Sequence, residues 1–214
     1  MLCLHVLRFG DGNRYQRSSE NDRFKRAYLK DWVNSPTRCD DHFTPMHYAA
    51  FFGNLQMIEL LMRHGGDPHV QNEMKINMLH VAAQGDKPQA IAFFLREGLN
   101  INARDRKEST PLHWAAFAGA DLALTYILSW GGDVNAQDSR GVTPLHLAVK
   151  TAEDIQSTRS VRALILRSAD TRMLDNERKL PIDYAEDVQD LTRPQIEFKR
   201  ELQQLVEAES DDFW

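Results

Sequence analysis

A short tetrad returns along this chain at a fixed interval. Thr44-Pro45-Met46-His47 is followed, at one constant spacing, by Asn77-Met78-Leu79-His80, Thr110-Pro111-Leu112-His113 and Thr143-Pro144-Leu145-His146. A looser copy, Leu180-Pro181-Ile182-Asp183, starts four positions later than that spacing requires, so an insertion precedes it. Other positions keep the same phase: the pairs Ala49-Ala50, Ala82-Ala83 and Ala115-Ala116, and the glycines Gly65, Gly98 and Gly131. A period of this size dictates a stack of small units, because one unit is too small to bury its own apolar face and must cover it with a neighbour.

Each repeated position has a physical reason. Thr followed by Pro starts a helix, the hydroxyl being suited to capping and Pro tolerated at the first helical position. Small Ala pairs let two helices approach closely. Ile58, Leu61 and Met62, and again Leu124, Ile127 and Leu128, fall at helical spacing and predict the buried face of a second helix. Gly65, Gly98 and Gly131 then end that helix, where a left-handed residue is wanted.

With the Thr-Pro-Leu-His tetrad and endings such as Asp67-Pro68-His69, Asn100-Ile101-Asn102 and Asp133-Val134-Asn135, the chain resembles the ankyrin-repeat family over roughly residues 40 to 190. The resemblance implies an all-α fold: an ankyrin-repeat solenoid of stacked helix-turn-helix units joined by β-hairpin-like turns. It divides the chain into an N-terminal segment (1–38), repeats at 39–71, 72–104 and 105–137, a fourth with an insertion (138–174), a degenerate C-terminal capping repeat (175–207) and an acidic tail (208–214). Asn21, Phe24, Tyr28 and Asn34 lie one period before Asn54, Met57, Leu61 and Asp67, which predicts a capping helix over about 21–33. Phe198, Leu202, Leu205 and Val206 predict a closing helix after Pro194.

Departures from the family pattern carry information too. The turn glycine before Thr-Pro survives only as Gly141; His42, Lys75, Glu108 and Arg178 hold the equivalent places. Asn77 replaces the capping Thr and Gly85 sits one residue early, so the second repeat is expected to be the least regular. The insertion, within Lys150 to Ser160, is expected to lengthen the connection between the two helices of the fourth repeat.

Composition narrows the function classes. The longest apolar stretches, such as Ala90 to Leu95, fall well short of the roughly 18 residues of a membrane span, so no membrane insertion by this chain is expected. Met1 to Leu7 is apolar but lacks a small-residue cleavage pattern, and no secretory signal is read there. Two cysteines, Cys3 and Cys39, are too few for a disulfide framework, which favours a reducing, cytoplasmic compartment. The net charge of -5 is matched by the acidic residues after Arg200, leaving the rest balanced. Such a balance gives no basic footprint for nucleic acid.

Four evenly spaced histidines, His47, His80, His113 and His146, suggest a metal site at first sight. Units stacked about 10 Å apart cannot bring four nitrogens to about 2 Å from one ion, so these side chains are expected to brace neighbouring turns instead. No catalytic motif stands out, and the run Cys39-Asp40-Asp41-His42 lacks the order and the Cys-rich surroundings of an Asp-His-His-Cys centre. The expectation is a non-enzymatic module without cofactor or metal, a monomer that binds a protein or peptide on its concave face.

Positions that ankyrin proteins leave free for partners are the hairpin tips and the solvent side of the first helix. Carried over, they are Phe43, Phe51 and Phe52 in the first repeat, Met74 and Ile76 in the second and Phe117 in the third, then Arg106, Lys107, Arg140 and Lys150. The series runs from apolar to basic. Phe51, Phe52 and Phe117 could instead tuck between repeats, and Trp114 is read as packing. Finally, Ser109 to Ala115, Thr143 to Lys150 and Val161-Arg162-Ala163-Leu164 look similar to the ankyrin region of Asp-His-His-Cys palmitoyltransferases, whose ankyrin part recruits substrates for a separate membrane domain. That resemblance implies an alternative role as such a recruiting part.

Overall fold

The computed structural model describes residues 29–37, 42–185, 200–201 and 203–205. Asn21, Phe24, Tyr28, Phe198, Leu202, Val206, the acidic tail and both cysteines lie outside the described residues. Among the described residues, α-helices follow in pairs: α1 Pro45–Phe52 and α2 Leu55–Arg63, α3 Met78–Gln84 and α4 Pro88–Arg96, α5 Pro111–Ala118 and α6 Asp121–Ser129, α7 Pro144–Ile155 and α8 Arg159–Ile165. A 3-10 turn, Pro181–Tyr184, opens the fifth unit, and residues 29–34 and 203–205 are helical. No strand occurs among the described residues, so the fold is an all-α solenoid.

The first helices α1, α3, α5 and α7 pack side by side as one layer, and α2, α4, α6 and α8 form a second layer against it. Ile58, Ile91, Phe94, Leu112, Leu124, Ile127, Leu145 and Leu164 fill the space between and are fully buried. Ala82, Ala83, Ala115 and Ala116 are wholly inaccessible, which is the close approach their small side chains permit.

Each first helix starts with a reciprocal clasp. The Thr44 N–H donates to Nδ1 of His47 at 3.2 Å, and the Thr44 hydroxyl bonds that same nitrogen at 2.9 Å. Thr110 with His113 and Thr143 with His146 repeat the arrangement. Histidine thus holds the place of the Glu or Gln in an ordinary capping box. In α3, Asn77 Oδ1 accepts from the Leu79 and His80 N–H groups.

The other ring nitrogen reaches into the next unit. Nε2 of His47, His80, His113 and His146 meets the carbonyls of Ile76, Ser109, Val142 and Lys179 at 3.0 to 3.2 Å. A carbonyl can only accept, so Nε2 carries the proton, and in His47, His113 and His146 Nδ1 is the bare acceptor; in His80, Nδ1 also lies 2.7 Å from Asn77 Oδ1, itself an acceptor. Burial holds all four imidazoles below their ordinary pKa of 6.5, His80 at about 4, so the neutral tautomer is the one the fold keeps.

The hairpin tips are built on one side chain each. Oδ1 of Asn72, Asp105, Asp138 and Asp175 accepts from the backbone N–H two and four residues on. Successive tips are then strung together, Arg106 N–H to Met74 carbonyl, Ser139 to Lys107 and Asn176 to Arg140, at 2.8 to 2.9 Å. His42, Lys75, Glu108 and Arg178 adopt φ of 49, 57, 60 and 63°, the left-handed conformation that Gly141 takes at 75°. The turn geometry therefore persists where its glycine is gone, held in the later units by the aspartate or asparagine at its start.

Two expectations are corrected. The insertion goes mainly into the helix, α7 having twelve residues where α1 and α5 have eight, and lengthens the connection within the fourth repeat only from 53–54 and 119–120 to 156–158. Four residues make about one turn of 3.6, so the added turn returns the chain to nearly the same face and the stack continues undisturbed. Asn34 does not take the place of Asp67. It accepts from the Asp67 N–H at 2.8 Å and donates to the Gly65 carbonyl at 2.8 Å, the two bonds that Asn102 makes to Asp133 and Gly131 further along the stack.

Candidate functional site: the inner layer and the hairpin tips

Ten residues were singled out from sequence, and the fold divides them into two rows at opposite ends of the first helices. Phe43, Met74, Ile76, Arg106, Lys107 and Arg140 lie at the N-terminal ends, on or beside the tips. Phe51, Phe52 and Phe117 lie at the C-terminal ends, and Lys150 holds the same register in α7. An eight-residue helix is about 12 Å long, so one row stands that far from the other.

Three of the ten, Phe43, Phe51 and Ile76, are partly buried against the core. Phe43 is half-buried and stacks on the His47 ring at 5.0 Å, with Tyr48 edge-on to it. Ile76 packs on the core while its carbonyl receives His47. Phe51 also packs on the core, and its carbonyl lies so close to Gly85 that a Cβ there would overlap it. Trp114 is packing as read, its indole N–H donating to Asp105 Oδ2 at 3.1 Å.

The other aromatics face solvent. Phe52 is 68% exposed and Phe117 59%, although most other large apolar side chains of the first helices are covered. In the tip row, Met74 is partly exposed and Arg106 and Lys107 are exposed, neither cation having an ion pair to any described residue. Arg140 is engaged, its guanidinium lying 3.2 Å from the buried Asp138 carboxylate. Lys150 is exposed and likewise has no ion pair to a described residue.

Several surface residues had escaped the sequence reading. Ile155, on the added turn of α7, is 45% exposed and lies against Gly119, close to Phe117 in sequence; Thr151, one turn earlier, donates its hydroxyl to the Phe117 carbonyl at 3.0 Å. Lys87 lays its aliphatic stem along Gly53 at the end of α1. On the outer layer, Leu122, Tyr126 and Trp130 make a stripe down α6, with Leu122 and Trp130 exposed. The four-residue excess in period could have pointed to Ile155. The α6 stripe had a helical-spacing signal, but the buried set Leu124, Ile127 and Leu128 on the same helix masked it.

Chemically, the surface offers apolar contact and cations. Among the described residues, no three His, Cys, Asp or Glu side chains stand together as a metal site, and no helix is long and apolar enough to cross a membrane.

A family model for ankyrin repeats in three copies matches residues 46–138, and one for ankyrin repeats in many copies matches residues 21–62. No curated protein matches the chain significantly. The two matches together span residues 21–138, more than half the chain, and with the histidine clasp and the two-layer stack they establish that the chain belongs to the ankyrin-repeat family.

Proposed function

We propose that this chain is a scaffold or adaptor that holds a protein or peptide against its inner layer, at the C-terminal ends of the first helices and at the hairpin tips. Ankyrin repeats are generally protein-interaction modules and typically non-enzymatic. The observation that carries the finer reading is the pair Phe52 and Phe117, exposed on the same layer two units apart. Burying a phenylalanine is worth about 1.5 to 3 kcal/mol, so two left in water at one surface cost the free protein what a partner would recover. Two cysteines in 214 residues accord with a reducing compartment, and we place the protein in the cytoplasm, as a monomer.

The test is a pull-down with mass spectrometry that compares wild type with Phe52→Glu/Phe117→Glu, with melting temperature measured alongside. Loss of the captured proteins at unchanged melting temperature supports the reading; identical capture by both proteins overturns it. A second role, the recruiting part of a palmitoyltransferase, is favoured by the run from Ser109 to Ala115 and by Thr143 to Lys150. Apolar spans and clustered cysteines encoded in the same transcript would support it, and a transcript without them would remove it.

A further inference from the structure

We propose that the row at the first-helix ends docks an acidic segment carrying two large apolar side chains, one seated on Phe52 and the other on Phe117 and Ile155, with its carboxylates meeting Lys87 and Lys150. The proposal rests on the inner layer being the binding face and specifies what that face selects.

The row has a relief set by register. Phe52, Gly85, Ala118 and Thr151 recur at intervals of one repeat, so Gly85 and Ala118 stand in line between Phe52 and the Thr151–Ile155 turn. Gly85 is not free to change, since any Cβ there would overlap the Phe51 carbonyl oxygen. Between the two exposed phenylalanines the second unit places Gln84 in the register of Phe117 and Gly85 in that of Phe52, with the Lys87 stem against Gly85. Helices stacked about 10 Å apart put Phe52 and Phe117 roughly 20 Å from one another. An extended chain covers that in about six residues.

Cations flank this stretch without an ion pair to a described residue. The Lys87 stem runs along Gly53, next to Phe52. Lys87 also holds the N-cap position of α4, where the helix dipole opposes a cation and the side chain makes no capping bond, so its charge does nothing for that helix. Lys150 follows Phe117 by one full period and stands one unit further on. Neither lysine has an ion pair to a described residue. Of the acids nearby, Asp86 Oδ1 accepts from the Ala123 N–H at 2.7 Å and Asp121 Oδ1 from the Ser160 hydroxyl at 2.6 Å. Asp154 is exposed one turn beyond Lys150. Alternation of aromatic and cation along one row is complementary to a partner alternating apolar and acidic residues, and repels a basic one.

The experiment pans random twelve-residue peptides displayed on phage against the full chain, with counter-selection on Phe52→Ser/Phe117→Ser. The best peptide is then synthesised and its binding measured by calorimetry at low and high salt. The expected result is enrichment of Asp and Glu around two apolar residues about six apart. Binding should weaken at least tenfold in Lys87→Glu/Lys150→Glu and several-fold in Lys87→Gln/Lys150→Gln, which keeps the stems and guards against a folding defect. Retained peptides that are neutral or basic, or charge-reversed binding within twofold of wild type, overturn the proposal while leaving the inner face as a binding surface. If no peptide distinguishes wild type from the phenylalanine variant, the inner-face reading falls and the proposal with it.

Discussion

The Nε2–H of His113 donates to the carbonyl of Val142, 3.0 Å away and one unit further along, while Nδ1 of the same ring accepts from the Thr110 N–H at 3.1 Å. One side chain therefore starts its own helix and fixes the next hairpin against it. Replacing His113 by Ala strands a buried N–H and a buried carbonyl together, each worth about 1 to 3 kcal/mol when left unmet. We expect a loss of about 2 to 5 kcal/mol in chemical denaturation. A loss under about 0.5 kcal/mol, the size of an ordinary surface change, would mean that water or a shifted backbone takes over both bonds.

Stability should fall on mild acidification. His47, His80, His113 and His146 all have folded pKa values below their ordinary 6.5, because burial opposes the charged ring. As pH drops through 6.5 the unfolded chain takes up protons that the folded chain refuses, so stability is full above 6.5 and declines toward about 4, the value for His80. Melting temperature followed from well above that range down to its lower end should be flat at first and then descend. A profile that rises on acidification would contradict the neutral ladder.

The left-handed turn positions give a pair of opposite outcomes. Lys75 is exposed and held at φ 57°, so Lys75→Gly should relieve strain and stabilise by up to about 1 kcal/mol, part of the gain being offset by the freer unfolded chain. Gly141→Ala should destabilise by about 1 to 2 kcal/mol, because φ is 75° and a Cβ would meet Asn176 Oδ1 at 2.8 Å and its backbone nitrogen at 3.0 Å. Urea denaturation of the two variants checks both signs at once.

Adjacent phenylalanines should behave differently. Phe52 is 68% exposed, and Phe52→Ser should shift stability by no more than about 0.5 kcal/mol while weakening partner capture. Phe51 packs on the core, so Phe51→Ser should cost over about 1 kcal/mol. Leu112, fully buried, sets the scale: Leu112→Ala should cost about 2 to 5 kcal/mol. Equal effects at positions 51 and 52 would mean that the register of α1 is misjudged.

What the sequence determined by itself was the period and everything tied to it. Thr-Pro-Met-His and Thr-Pro-Leu-His placed the starts of α1, α5 and α7, the Ala pairs placed the tight contacts, and Ile58, Leu61, Leu124 and Ile127 placed the buried faces, because each belongs to an interaction within one unit or between similar neighbours. Such local interactions repeat whenever the residues repeat. The tertiary structure alone decided which of two adjacent aromatics faces out: Phe51 and Phe52 are equally apolar, and only the packing of α1 against α3, with Gly85 pressed on the Phe51 carbonyl, separates them. It likewise decided that the inserted residues become mainly helix rather than loop, since their gain lies in Ile155 covering Gly119 across an interface. Contacts between units that differ carry no periodic signal, and the candidate binding row is made of them.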